Sequence, residues 1–156
     1  MMGDDRLLDE LMAVMDEAFD PHWREAWSRR QIAESLELPN TFAVLYDHRG
    51  NPLPVASRAS GFIFSRHVAG EEELLLIAVR PELRGRGIGR KMIVHFAEQA
   101  GRRGAERIFL EMRSNNEAGS LYARCGFVPI GKRPDYYRTL SGETIDAITF
   151  ALRLND

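Results

Sequence analysis

Glycines and arginines alternate through Arg84-Gly85-Arg86-Gly87-Ile88-Gly89-Arg90, and Lys91 follows. Glycine lets a backbone approach a ligand closely and adopt conformations closed to other residues. Where such a turn opens a helix, the free N–H groups and the helix dipole together attract an anion. Arg84, Arg86, Arg90 and Lys91 add positive charge, so this segment is expected to hold a phosphate-bearing ligand. Two common nucleotide motifs fail here, because Arg90 stands where the third glycine of Gly-x-Gly-x-x-Gly and the second of Gly-x-x-x-x-Gly-Lys belong. Further along, Glu111 ends a hydrophobic run and Tyr122 follows in Leu121-Tyr122-Ala123-Arg124-Cys125-Gly126-Phe127. A carboxylate opening onto a cleft can act as a general base, and a phenol can act as a general acid. Cys125 has no histidine nearby in sequence and reads as a small buried apolar residue rather than a nucleophile. His22, His48, His67 and His95 lack metal-ligand spacing, and no metal is expected.

These residues need elements to position them. Leu7, Leu8, Leu11, Met12, Met15 and Phe19 recur at three- and four-residue steps and predict an amphipathic helix from Asp5 to Phe19. Ser28 with Gln31 forms a capping-box pattern before a second helix, whose stripe is Ile32, Ala33 and Leu36. Strands are predicted at Thr41–Tyr46, Ala59–His67 and Glu72–Val79, the last apolar without alternation, as in the middle of a sheet. A helix from Ile88 carries Met92, Ile93, Phe96, Ala97 and Ala100 on one side. Arg107–Met112 then reads as a strand, Glu117–Cys125 as a short helix, and Phe127–Gly131 and Ile145–Leu152 as two more strands. The order predicts an α/β sandwich around a mixed, mostly antiparallel sheet with a parallel centre and helices on both faces. The glycine turn thus joins a buried strand to a helix, as an anion site requires.

The chain has 156 residues, and 1–156 is read as a single domain. Net charge is −2, from 21 basic and 23 acidic residues, which gives no global field for nucleic acid. One cysteine excludes an internal disulfide. No run is long and apolar enough for a membrane span, and the acidic start lacks the plan of a signal peptide, so a cytoplasmic protein is expected.

Arg84-Gly85-Arg86-Gly87-Ile88-Gly89 resembles the Arg/Gln-x-x-Gly-x-Gly/Ala signature of the GCN5-related N-acetyltransferase (GNAT) family. The resemblance implies that the amides of Gly85–Arg90 hold the pyrophosphate of acetyl-coenzyme A, with Ile77, Ala78 and Val79 beside its pantetheine arm. Backbone amides near Ile77 and Ala78 could polarise the thioester carbonyl. Leu110-Glu111-Met112-Arg113, the asparagines, Leu121-Tyr122 and Gly126-Phe127 are similar to the branch of bacterial ribosomal-protein-alanine N-acetyltransferases. In that branch the glutamate is the proposed base, the tyrosine the proposed acid and the asparagine a coenzyme contact. Glu111 to Tyr122 is slightly shorter here than in the branch, so Asn115 or Asn116 could take that contact, and counting from Glu111 favours Asn116. Asp135-Tyr136-Tyr137 resembles the branch's Asn-Tyr-Tyr and implies that Tyr136 and Tyr137 line the acceptor cleft.

The implied function is direct acetyl transfer to a protein N-terminus, the N-terminal alanine of a small-subunit ribosomal protein first among the acceptors. A small-molecule amine or a lysine side chain is the alternative acceptor, and a non-catalytic acyl-coenzyme A module the reading of another class. Two further departures stand out. Asp20-Pro21-His22-Trp23 is extra sequence that could reshape the acceptor rim, and the family's usual first strand is missing or very short.

Overall fold

The computed structural model describes residues 2–54 and 57–154. Its elements are α1 (Met2–Ala18), α2 (Arg29–Leu36), β1 (Thr41–Tyr46), β2 (Gly61–Val68), β3 (Glu71–Val79), α3 (Ile88–Arg102), β4 (Arg107–Arg113), α4 (Gly119–Arg124), β5 (Val128–Arg138) and β6 (Thr144–Arg153). Short 3₁₀ turns stand at Pro21–Trp23 and Pro81–Leu83. The strands form one sheet in the order β1-β2-β3-β4-β6-β5, antiparallel except for the central β3–β4 pair. The predicted element order holds, and among the described residues no strand precedes α1.

Each face of the sheet has its own core. Met92, Ile93, Phe96 and Ala100 of α3 pack on Ile63, Leu74, Ile108, Leu110 and Phe150. On the other face Leu11, Val14 and Met15 of α1 and Ile32 of α2 pack on Phe62, Phe64, Leu76 and Ala78. The α2 entry is fixed as its sequence requires. Ser28 Oγ accepts from Gln31 N at 3.1 Å, and Gln31 Oε1 accepts from Ser28 N at 2.8 Å.

Irregularities in two strands shape the sheet. Phe64 pairs with Leu76 but Ser65 pairs with Leu74, so Leu75 is a surplus residue, a β-bulge in β3. A bulge puts consecutive residues on one face and bends its strand. Leu74 therefore packs against α3, while Leu76 and Ala78 pack against α1. Parallel pairing of β3 with β4 covers only Glu71–Glu73 against Arg107–Phe109. Beyond the bulge the two strands part, and the sheet opens as a V.

The second of these strands is β5, which runs to Arg138 rather than stopping near Gly131. Its register slips between Arg133 and Tyr137, and Asp135 has φ 52°. Asp146 of β6 steadies this bulge. Its Oδ1 accepts from Asp135 N at 2.9 Å, and its Oδ2 lies 3.1 Å from Lys132 Nζ.

Candidate active site

The glycine turn begins from a firm anchor. Arg80, buried at the end of β3, donates from Nε to Ala59 O at 2.7 Å and pairs with Glu17 of α1. Gly85 and Gly87 both have φ 79°, and a Cβ on either would point into open space. Their glycine identity is therefore required by backbone conformation, not by crowding. Gly89 differs, since a Cβ there would stand 3.2 Å from Leu121 Cδ2, at the packing of α3 on α4. The first bond back into α3 runs from Lys91 N to Gly87 O. The amides of Ile88, Gly89 and Arg90 precede it and have no helical carbonyl to meet, which makes the turn an anion site.

From this turn a cleft of about 930 Å³ runs into the V of the sheet. One wall is Ile77, Ala78 and Val79, on the stretch of β3 that has lost its β4 partner. Backbone polar groups on that edge need a hydrogen-bonding partner, which an extended polar ligand can supply. The opposite wall is Asn116, Ala118, Leu121 and Tyr122, from the β4–α4 connection and α4. Asn116 Oδ1 accepts from Ala118 N at 2.9 Å and so shapes the start of α4. Asn115 Oδ1 accepts from Arg113 Nη1 at 3.1 Å.

Titratable groups gather around Tyr122, some of them behind the cavity lining. Tyr122 is 5% exposed and packs on Phe127 and Phe150, with ring centroids 5.8 and 6.0 Å away. Burial, and then the charge of Glu25, push its phenol well above the ordinary range, so it stays protonated. Tyr137 is pushed up likewise, by burial first and then by the charges of Glu111 and Glu25. Glu111 Oε2 lies 3.2 Å from Arg133 Nε and accepts a long bond, 3.4 Å, from Thr149 Oγ1. Tyr136 meets Tyr137 edge to face at 5.2 Å and is half exposed.

Most of the residues singled out in the sequence border one cavity: Ile77, Ala78, Val79, Arg84, Gly85, Gly87, Ile88, Gly89, Arg90, Asn116 and Tyr122. Glu111, Arg86, Tyr136 and Tyr137 stand outside its lining. Arg84 borders it, but Nη2 donates to Ala18 O at 2.9 Å, at the end of α1. Cys125 carries a thiol raised by burial, against the lowering pull of Arg90 and Arg124. Trp23, Glu25 and Arg113, to which the sequence assigns no site role of their own, also stand on the cavity wall. Arg113 Nε reaches Glu25 Oε1 at 3.2 Å and lies over the Trp23 ring at 3.9 Å. The extra segment after Phe19 was the available signal, and its Pro21 begins the 3₁₀ turn that delivers Trp23.

Residues 38–129 match the family described as acetyltransferase (GNAT) domain. The [ribosomal protein bS18]-alanine N-acetyltransferase of Salmonella typhimurium strain LT2 is 35% identical over 136 residues, covering 83% of this chain and 90% of that one. The crystal structure of the ribosomal-protein-S18-alanine N-acetyltransferase from Escherichia coli superposes with a TM-score of 0.78 at 26% identity, over 98% of this chain and 90% of that one. The yncA structure from Salmonella typhimurium, solved with its cofactor acetyl-CoA, gives a TM-score of 0.58 at 22% identity, over 65% and 62%.

Proposed function

This chain belongs to the GNAT acetyltransferase family, and on that premise we propose that it acetylates the α-amine of a protein N-terminus, that of ribosomal protein bS18 first among the acceptors. One observation carries the reading: a single cleft joins the unpaired amides at the start of α3, the open edge of β3 and the protonated phenol of Tyr122. The residues present fit acetyl-coenzyme A. The α3 amides and Arg90 suit its pyrophosphate, and the free edge of β3 suits an arm rich in amides. When bound, the coenzyme supplies an acetyl group activated as a thioester.

The chain's own groups do the rest. Glu111 takes a proton from the acceptor ammonium through water, and Tyr122 donates its hydroxyl proton toward the departing sulfur. Amides near Ile77 and Ala78 polarise the acetyl carbonyl. Tyr137, half-buried between the charges of Glu111 and Glu25, supports a cleft for a peptide end. An α-amine titrates near pH 7.7–8.0, against about 10.4 for lysine, so a carboxylate working through water suits the α-amine better. Bacterial relatives named for bS18-alanine acetylation, 35% identical in the Salmonella case, support the acceptor.

The test is acetyl-coenzyme A turnover on three acceptor classes: peptides beginning with alanine, the same peptides N-terminally blocked with an internal lysine, and free amines such as spermidine. Turnover of the first class well above the others is expected. Equal rates on blocked, lysine-bearing peptides move the assignment to side chains, and turnover of free amines alone moves it to small molecules.

A further inference from the structure

The inner end of the cleft holds a carboxylate that the mechanism above leaves unused. Glu25 precedes α2 on the segment that begins at Asp20, and it faces the cavity beside Trp23. Asp20 Oδ1 caps the 3₁₀ turn through His22 N at 2.9 Å, and Arg24 then takes a left-handed φ of 57°. That reversal carries Glu25 inward. The segment crosses the open V. Its root is on α1, which packs on the β1–β3 half, yet His22 O accepts from Leu140 N at 3.0 Å in the β5–β6 hairpin. Glu25 in turn grips Arg113 at the end of β4.

The Glu25 side chain is only 17% exposed. Oε1 meets Arg113 Nε, whereas Oε2 has no hydrogen bond among the described residues. Arg113 is spoken for elsewhere as well, by Asn115 Oδ1 and by the face of Trp23. Glu25 thus offers a largely desolvated negative charge with an open oxygen, and its field is felt at both Tyr122 and Tyr137. Glu111, by contrast, lies outside the cavity lining and is covered by the guanidinium of Arg133. Asp20, Glu25 and Glu117 all border the cavity, and of these three carboxylates only Glu25 acts on the Tyr122 phenol.

We propose that Glu25 is a specificity-determining residue that receives the ammonium group of the acceptor through its open Oε2. This rests on the reading that the acceptor amine enters this cleft. Glu25 selects for a cationic end group and orients its nitrogen toward the bound acetyl group. The proton leaves afterwards, through water to Glu111, so Glu25 ends the cycle in the form in which it began.

Glu25→Gln separates this role from a merely structural one, because the amide oxygen can still accept from Arg113. Two probes are titrated calorimetrically into the full chain saturated with coenzyme A. One is an alanine-initiated peptide, and the other is the same peptide with its α-amine replaced by hydrogen. The wild type should bind the amine form more tightly. E25Q should weaken the amine form by about 10–100-fold, the range for a hydrogen bond to a charged group, and leave the neutral form within about twofold. E25D should recover part of the loss, and the KM for acetyl-coenzyme A should stay put. Equal weakening of both peptides in E25Q, or equal binding of both by the wild type, overturns the proposal. An E25Q protein that melts early is replaced by E25D under the same two-peptide contrast. If the wild type turns over spermidine and no peptide, the peptide assignment fails, and Glu25 is judged by whether E25Q raises the KM of spermidine by the same factor.

Discussion

Gly87 and Cys125 make opposite claims about what a residue type is for. Gly87 sits at φ 79° with nothing within 4 Å of where a Cβ would be. Gly87→Val therefore strains the backbone where the α3 amides are presented, while its Cβ meets no neighbour. A folded protein is expected whose acetyl-coenzyme A affinity, measured by calorimetry, falls by at least tenfold, the scale of one backbone hydrogen bond to a charged group. Cys125 is half-buried, and burial raises its thiol above the usual value. The thiolate is the reactive form, so at neutral pH this residue is less nucleophilic than a free cysteine. Cys125→Ala should keep most activity, and initial-velocity lines should intersect, as in a ternary complex. Parallel lines with an acetylated Cys125 in the mass spectrum would show a covalent route instead.

Between residue and fold, the β5 bulge decides where the tyrosine pair points. Asp146 holds it through Asp135 N and Lys132, and Thr144 Oγ1 adds a bond to Asp135 Oδ1 at 2.9 Å. Asp146→Ala should release the bulge, raise the acceptor KM by about 3–10-fold on the scale of a lost hydrogen bond, and leave the coenzyme KM unchanged. Equal rises in both constants would mean that the hairpin supports the whole cleft instead. This element was only half legible beforehand. Helix α3 and strand β3 announce themselves through periodicity and apolar runs, and the Ser28–Gln31 box fixes the start of α2. The outer strand β5 carries Lys132, Arg133, Pro134 and Asp135 and is exposed along nearly all its length, so no burial pattern marks its end. Nor could Glu25 be read, because its partner Arg113 lies 88 positions away. The Leu75 bulge hides within Leu74-Leu75-Leu76, where one more leucine looks like any other.

At the scale of the molecule, the V needs a secure vertex. Glu72 lies among the three β3 residues that still pair with β4, and it is fully buried. It accepts from Ser65 Oγ at 2.8 Å and from Arg103 Nε at 3.1 Å, with His67 Nδ1 also at 3.1 Å. Burial alone would raise this carboxyl, but Arg103, Ser65 and His67 outweigh it and hold it below its ordinary value. A depressed folded value stabilises the fold above the unfolded value, about 4.3 for glutamate, and the benefit fades as pH falls through the folded value. Glu72→Gln should cost about 3 kcal/mol in denaturant melts at pH 7, with the gap to wild type narrowing below about pH 4. A constant gap across that range would assign the loss to packing. Three residues further along, in the middle of β3, stands the surplus Leu75. Deleting it would leave Phe64 opposite Leu76, Ser65 opposite Leu74 and every remaining side chain on its present face. What would go is the bend. The shortened strand should fold and run on against β4, with acetyl-coenzyme A turnover lost while the thermal melt stays cooperative. In a crystal such an extra half-row is a dislocation, the defect at which two matched planes come apart. Here the cleft is written in how many residues β3 contains, so it should tolerate exchanges of one leucine-sized side chain for another far better than the loss of one position.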